Sequence, residues 1–317
     1  MKSSQKLLLS NALIACTLTP VSSYAVDVYG VINMSRQNIT EESSSYSSIR
    51  SNGSAIGVSE ERALNHGVSA EFLLEYEIEP DQPVTGAGGA SEGGPFALSA
   101  GYVGLAGRVG KLKIGYFATP LNILGDGVDH FADLRGDKGR YISTGDVDIS
   151  DAVMYTSPEW QGLTARISHV SYEDEDANRS DGASVSVSYE HGKLFTGLAY
   201  DTEVEGDDID LLRAVVRYPV GNIALGAIWE RRDAIADDGA TTGWLVSANI
   251  PVDDVLSFQV QHGQSDNRVE NGKSTSGGAT YVLGEGVNLY VFATSNTSED
   301  PELGDESEYG LGISYTF

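Results

Sequence analysis

The sequence predicts an all-β chain: a transmembrane, antiparallel 16-stranded β-barrel with an inward-folded third loop. Three observations carry that reading. Apolar and polar residues alternate with the period of a strand through most of the chain. Short turns and long polar loops take turns along it. The chain has no run of 18 apolar residues, so a helical membrane span is excluded.

The last nine residues show the pattern most plainly. Tyr309, Leu311, Ile313, Tyr315 and Phe317 share one face of a strand, and Gly310, Gly312, Ser314 and Thr316 the other. One face is apolar up to the final residue. The two glycines are expected to point at the lumen and add no bulk to it.

The first 25 residues are expected to be a signal peptide. Lys2 and Lys6 supply a positive start, Leu7 to Thr19 are mostly apolar, and Ser23-Tyr24-Ala25 offers a cleavage site. The barrel would then occupy residues 26–317. A competing reading takes Leu13-Ile14-Ala15-Cys16 as a lipoprotein site that lipidates Cys16. Cys16 is the only cysteine, so a disulfide framework is excluded and cleavage after Ala25 removes every thiol. Without Lys2 and Lys6, 18 basic residues face 46 acidic ones, a formal charge of −28. That balance argues against a nucleic-acid partner and fits a surface that meets cations.

Sixteen strand-like segments follow Val26. In one, Val68, Ala70, Phe72, Leu74, Tyr76 and Ile78 oppose Ser69, Glu71, Glu75 and Glu77. In others, Ala183, Val185, Val187 and Tyr189 oppose Ser184, Ser186 and Ser188, and Leu212, Ala214, Val216 and Tyr218 oppose Arg213 and Arg217. Seven short turns, at 64–67, 107–110, 157–162, 190–193, 218–222, 251–254 and 284–286, interleave with eight long loops. The loops are 38–53, 80–95, 118–150, 172–182, 202–208, 232–242, 265–274 and 296–306. An even strand number with every long loop at one end is the plan of an outer-membrane barrel. A soluble sandwich with one wet face is the alternative, and it has no reason to segregate its loops. Lipid offers the backbone no hydrogen bonds, so the sheet must close on itself. At about 16 strands the interior is too wide for side chains to fill, and it holds water. Aromatics such as Tyr155, Trp160, Tyr218, Trp244 and Tyr281 lie near predicted strand ends, where amphipathic rings meet headgroups.

No nucleophile elbow, zinc-protease motif, phosphate loop or calcium loop is present. The five histidines are scattered over turns, loops and strand ends. No cofactor is expected. The longest connection, 118–150, is the informative one. It carries Asp126, Asp129, Asp133 and Asp137 beside Arg135, Lys138 and Arg140, with Phe131 and Leu134 as anchors. Loops beyond about 12–15 residues are usually functional or disordered. Folded inward, this one narrows the lumen; as an external loop it is merely solvated.

Several stretches resemble the general trimeric porins of Gram-negative outer membranes. They are Val26-Asp27-Val28-Tyr29-Gly30, Ile56 to Glu61 with Gly67 to Phe72, Tyr102 to Leu105 with Gly110 to Gly115, Tyr155 to Leu163, and the terminal Phe317. The resemblance implies a homotrimer in outer-membrane lipid and lipopolysaccharide, passive diffusion of small hydrophilic solutes, and a third loop that constricts the pore. It also implies that Tyr315 and Phe317 form the signal read during barrel assembly. In the family, loop acids face a basic cluster on the wall. Here the matching wall positions fall on Ala55, Ser59 and Ser99. Lys113, Arg166, Arg213 and Arg217 remain as basic wall residues, and Glu61, Glu71, Glu75 and Glu77 add acid.

A depleted basic wall facing loop carboxylates predicts cation selectivity that weakens with salt. The acidic external runs, Glu173 to Asp176 and Glu299 to Glu308, are read either as solvated or as bridged to lipopolysaccharide by divalent cations. A porin with no chemical step leads. A barrel hydrolase with a rim site, an adhesive barrel and a substrate-specific porin are the alternatives.

Overall fold

A computed structural model describes residues 26–41, 44–81, 96–172, 180–235, 239–300 and 303–317. The expected signal peptide, Cys16, the acidic run from Glu173 to Asp176 and most of the loop 80–95 lie outside the described residues.

The strands are β1 (Asp27–Glu41), β2 (Ser44–Ser51), β3 (Ala55–Ala63), β4 (Ser69–Ile78), β5 (Phe96–Gly107) and β6 (Gly110–Ala118). After two short helices come β7 (Asp148–Thr156), β8 (Leu163–Val170), β9 (Gly182–His191), β10 (Leu194–Thr202) and β11 (Ile209–Val220). The last six are β12 (Ile223–Ala234), β13 (Thr241–Pro251), β14 (Leu256–Ser265), β15 (Gly272–Gly284), β16 (Val287–Thr297) and β17 (Glu306–Thr316). Every neighbouring pair is antiparallel, and β1 pairs with β17 from Val31–Thr316 to Glu41–Glu306, which closes the sheet. The upper part of β1, Met34 to Glu41, pairs with β2, and its lower part, Asp27 to Val31, with β3. β2 and β3 are therefore one stave broken at Asn52–Ser54, where Gly53 takes φ +65°. The result is a closed, antiparallel 16-stave barrel, as the sequence predicts.

All seven predicted short turns join neighbouring strands. The predicted loop 38–53 does not survive. Its described residues extend β1 to Glu41 and form β2, paired from Met34–Ser51 to Glu41–Ser44. The segment Ser44–Ser51 is polar on both faces, so it carries no alternation to read. Backbone pairing with β1 makes it a strand.

The barrel is inside-out relative to a soluble protein. Ser184, Ser186 and Ser188 are buried on β9, whereas Val185 and Val187 between them are exposed. The same inversion holds along β17, where Leu311, Ile313 and Tyr315 face outward. An outward apolar band is what a bilayer requires of a barrel. No helix among the described residues is long and apolar enough to cross a membrane.

Gly310 and Gly312 do not simply leave the lumen open. Phe292 and Tyr290 on β16 lie across them: a Cβ on Gly312 would come 2.2 Å from Tyr290 Cζ, and one on Gly310 2.6 Å from Phe292 Cζ. The glycines are seats for inward-pointing rings. Asn33 Oδ1 accepts a hydrogen bond from Tyr290 Oη at 2.6 Å, and Asn52 Nδ2 donates to that oxygen at 2.8 Å.

Candidate functional site

The segment between β6 and β7 opens with α1 (Pro120–Leu124). Thr119 caps it, accepting from Asn122 N at 3.0 Å, and Pro120 sits at its first position. A second helix, α2 (Lys138–Tyr141), starts at Asp137, whose carboxylate accepts from Gly139 N at 2.6 Å.

The segment lies against the inner faces of the later strands. Leu121, Leu124, Val128, Tyr141 and Ile142 form one apolar cluster with Ala199, Leu211, Val215, Ile228, Leu245 and Val269. Those partners span β10 to β13, and Val269 follows β14. On these strands both faces are apolar: Leu211 is followed by Leu212, Val215 by Val216, and Leu245 by Val246. That doubled pattern is the sequence signal that could have located the contact. An apolar patch facing a water-filled lumen is stable only when something covers it.

Polar contacts extend the attachment. Leu121 N donates to Ser184 Oγ at 3.2 Å, and His130 N to Gln261 Oε1 at 2.9 Å. Gln261 Nε2 in turn donates to Asp129 Oδ1 and to the Gly136 carbonyl, both at 3.0 Å. Two ionic clusters close the attachment. In the first, Glu306 receives both Arg135 and Arg140, the latter at 2.5 and 2.7 Å. Arg135 also reaches Glu41 at 2.5 Å, and its backbone N donates to Glu308 at 3.1 Å. In the second, Arg213 Nη2 lies 2.6 Å from Glu230 and Nη1 2.9 Å from Asp146, while Lys138 reaches Asp146 at 3.1 Å.

These contacts sort the sequence-predicted residues. Arg135, Lys138 and Arg140 are spent on wall or segment carboxylates. Asp129 accepts from Phe131 N and Lys138 N, and Asp137 from Asp133 N, so both organise the segment itself. Arg213 shares a face of β11 with Leu211 and Val215 and is wholly covered. Glu306 and Glu308, assigned from sequence to an external acidic run, are buried on the inner face of β17. Their alternation with Ser307 was the missed signal: one-residue spacing puts both glutamates on one face. Asp126 and Asp133 keep part of their surface exposed while their carboxyls are partly desolvated by their surroundings.

Among the described residues the segment makes no hydrogen bond or ion pair to side chains of β3–β6. That wall holds Glu61, Glu71, Glu75 and Lys113. Glu75 accepts from Tyr29 Oη at 2.7 Å and from Ser99 Oγ at 3.0 Å, and Glu71 pairs with Lys111 at 2.8 Å. Lys113 Nζ stands 4.1 Å from the Phe117 ring centre and 4.7 Å from that of Tyr102. Arg217 lies 4.0 Å over Phe195. Among the described residues Lys113, Arg166 and Arg217 join no ion pair. Asp126 is within electrostatic reach of Arg217 and Arg166. Burial pushes the Asp126 carboxyl above the usual carboxylate range, more than Lys138, Arg217 and Arg166 pull it down. Burial, then Asp137, raise Asp133 as well. At Asp146 burial acts upward too, but Arg213 and Lys138 outweigh it and hold the carboxyl below the usual range.

The comparisons with known proteins agree with this architecture. The family described as Gram-negative porin matches residues 12–301 of the chain. The major outer membrane protein P.IB of Neisseria meningitidis serogroup A is 25% identical over 221 residues, 64% of this chain. The match spans 63% of the length of that relative. The anion-selective porin from Comamonas acidovorans superposes with a TM-score of 0.76 at 18% identity, covering 93% of this chain and 100% of that one. The trimer form of OmpT, an outer membrane protein of Vibrio cholerae, gives 0.68 at 15% identity, with 93% and 100% covered. On the family match, which runs through nearly the whole barrel, the chain belongs to the Gram-negative porins.

Proposed function

We propose that the exported chain, residues 26–317 after removal of 1–25, forms a water-filled channel for passive diffusion of ions and small hydrophilic solutes across the bacterial outer membrane. The segment 118–150 serves as its constriction. One observation supports this reading: the segment packs against residues of the later strands, and among the described residues it makes no hydrogen bond or ion pair to side chains of β3–β6, which carry Glu61, Glu71, Glu75 and Lys113. Transport through it involves no chemical step.

The passage is proposed to prefer cations. In this reading Glu61, Glu75, Glu77, Asp126, Asp133 and Asp148 supply carboxyl groups, against Lys113, Arg166 and Arg217, which join no ion pair among the described residues. Low-dielectric walls focus the field of that excess. The Comamonas relative is described as anion-selective, so selectivity does not follow from the fold and must be read from this chain's own charges.

A homotrimer is proposed on the likeness to the Vibrio trimer. External acids such as Glu299 and Asp305 would bind lipopolysaccharide phosphates through divalent cations. Tyr315 and Phe317 would act as the assembly signal. Planar-bilayer recording in a salt gradient tests the reading. Large stable openings in threes, with a reversal potential of cation-selective sign at low salt, are expected. A barrel that inserts without conducting overturns the channel, and an anion-selective sign overturns only the charge argument.

A further inference from the structure

We propose that Asp201 sits uncharged beneath the constriction segment and makes that segment's hold on the wall sensitive to pH. Asp201 is the last residue but one of β10, lies on its inner face and is 1% exposed. It stands opposite Ser184 on β9 and Leu211 on β11. Leu211 and Ala199, on either side of it, belong to the apolar cluster that Leu121 and Leu124 of α1 complete. Ser184 also accepts from Leu121 N at 3.2 Å. The carboxyl is therefore buried at the seat of α1.

The charges around it are already committed. A guanidinium has five N–H donors, and those of Arg213 are all taken. Nε donates to Glu230 at 2.9 Å, and Nη1 to Asp146 at 2.9 Å and the Leu121 carbonyl at 3.2 Å. Nη2 donates to Glu230 at 2.6 Å and to Ser143 Oγ at 2.5 Å. Lys138 is held by Asp146 at 3.1 Å, and Glu205, on the loop after β10, pairs with Arg232 at 3.6 Å. The helix α1 brings no titratable group. Asp201 thus feels Arg213 only at a distance, and it faces Glu205 and Glu230 as like charges. A neutral donor, the Ser184 hydroxyl, is turned toward it. Neither carboxyl oxygen is within hydrogen-bond distance of a partner among the described residues. A buried carboxylate needs both a counter-charge and hydrogen bonds, and a neutral carboxyl is far less costly without them.

Protonation is thereby tied to the seating of α1. When α1 lifts and water reaches the site, Asp201 ionises as an ordinary carboxyl does, at about 3.9. The seated arrangement keeps a proton that the lifted one releases, so rising pH weakens the seat. The weakening begins near about pH 3.9 and levels off once Asp201 ionises in place. Asp146 acts in the opposite sense and below that window, because its carboxyl is depressed. The inference concerns how the segment is held, and it stands whether or not the barrel conducts.

Infrared spectroscopy and heat-shifted gel migration of the folded chain in detergent test this without reference to conduction, which bilayer recording examines separately. At about pH 7 the wild type should show a protonated-carboxyl C=O stretch that Asp201→Asn lacks. The folded band of the wild type should convert at lower temperature as pH rises from about 4 to about 8. Asp201→Asn should lose part of that shift, because its amide cannot ionise. Asp201→Ser serves as a second neutral variant if the first does not fold. Equal carboxyl bands in wild type and variant, or equal pH shifts, would mean that Asp201 is charged in the seated arrangement, and the inference fails. Failure of both neutral variants to fold would mean that the charge is required, with the same result.

Discussion

Arg213 and Glu230 form an ion pair sealed between the barrel wall and the segment lying on it. Nη2 stands 2.6 Å from Oε2, with side-chain exposures of 0% and 2%. Ser143 and Thr144 add hydrogen bonds to the same carboxylate, and the Leu121 carbonyl accepts from Arg213 at 3.2 Å. A buried pair holds only while every partner is in place.

Arg213→Met should therefore be severe. It strands Glu230 and weakens the hold on Asp146, a loss of about 3–5 kcal/mol for a broken buried pair. The folded band should convert at lower temperature on a gel, and the conductance should become larger and noisier. Arg213→Met combined with Glu230→Met should recover much of the stability, because an apolar pair leaves no stranded charge. A double variant no more stable than the single one would contradict the sealed-pair account.

Acidification should act in two stages. Asp126 and Asp133 have raised carboxyl pKa values, so they lose charge first as pH falls from neutral. Asp146 is depressed. Its contribution to holding the segment is complete above the unfolded carboxylate value, about 3.9. It is lost only as pH falls through the lower folded value. Cation preference should fade first with step size little changed, and channel noise should rise only in stronger acid. Reversal potentials and current traces recorded from about pH 7 to well below about pH 3.9 follow both stages in turn.

Charge substitutions should move selectivity in opposite directions. Asp126→Asn removes a carboxylate from the passage and should shift the reversal potential toward anions. Arg217→Gln removes a base facing it and should shift it toward cations. Both effects should shrink at high salt, since the Debye length falls from about 10 Å at 0.1 M to about 3 Å at 1 M. Two shifts of the same sign would place Asp126 or Arg217 outside the conducting path.

Phe317 closes the barrel at one end. Its backbone exchanges hydrogen bonds with Gly30 at 3.0 and 3.1 Å, and its ring covers Gly30, where a Cβ would come 2.7 Å from Cζ. Phe317→Ser and Gly30→Val should each lower the yield of folded barrel, measured by heat-shifted migration. The conductance of the molecules that do fold should be unchanged. A changed conductance would move this contact from the rim into the conducting path.

The division between what was legible in the chain and what was not follows the range of the forces. The sequence by itself determined the closed barrel, its sixteen staves, the seven tight turns and the outward faces of strands such as Tyr309–Phe317. Those features rest on period-two alternation and turn length, which are local. Ser44–Ser51 escaped because a strand polar on both faces is held by its neighbour alone. Only the tertiary structure decided which charges are paired with one another. That Arg135 and Arg140 both pair with Glu306, 171 and 166 positions away, could not be read along the chain. The seats of Tyr290 and Phe292 on Gly312 and Gly310 were likewise invisible along the chain. Ion pairing and close packing depend on which distant strands the closed sheet brings together, and that is settled only when the barrel shuts.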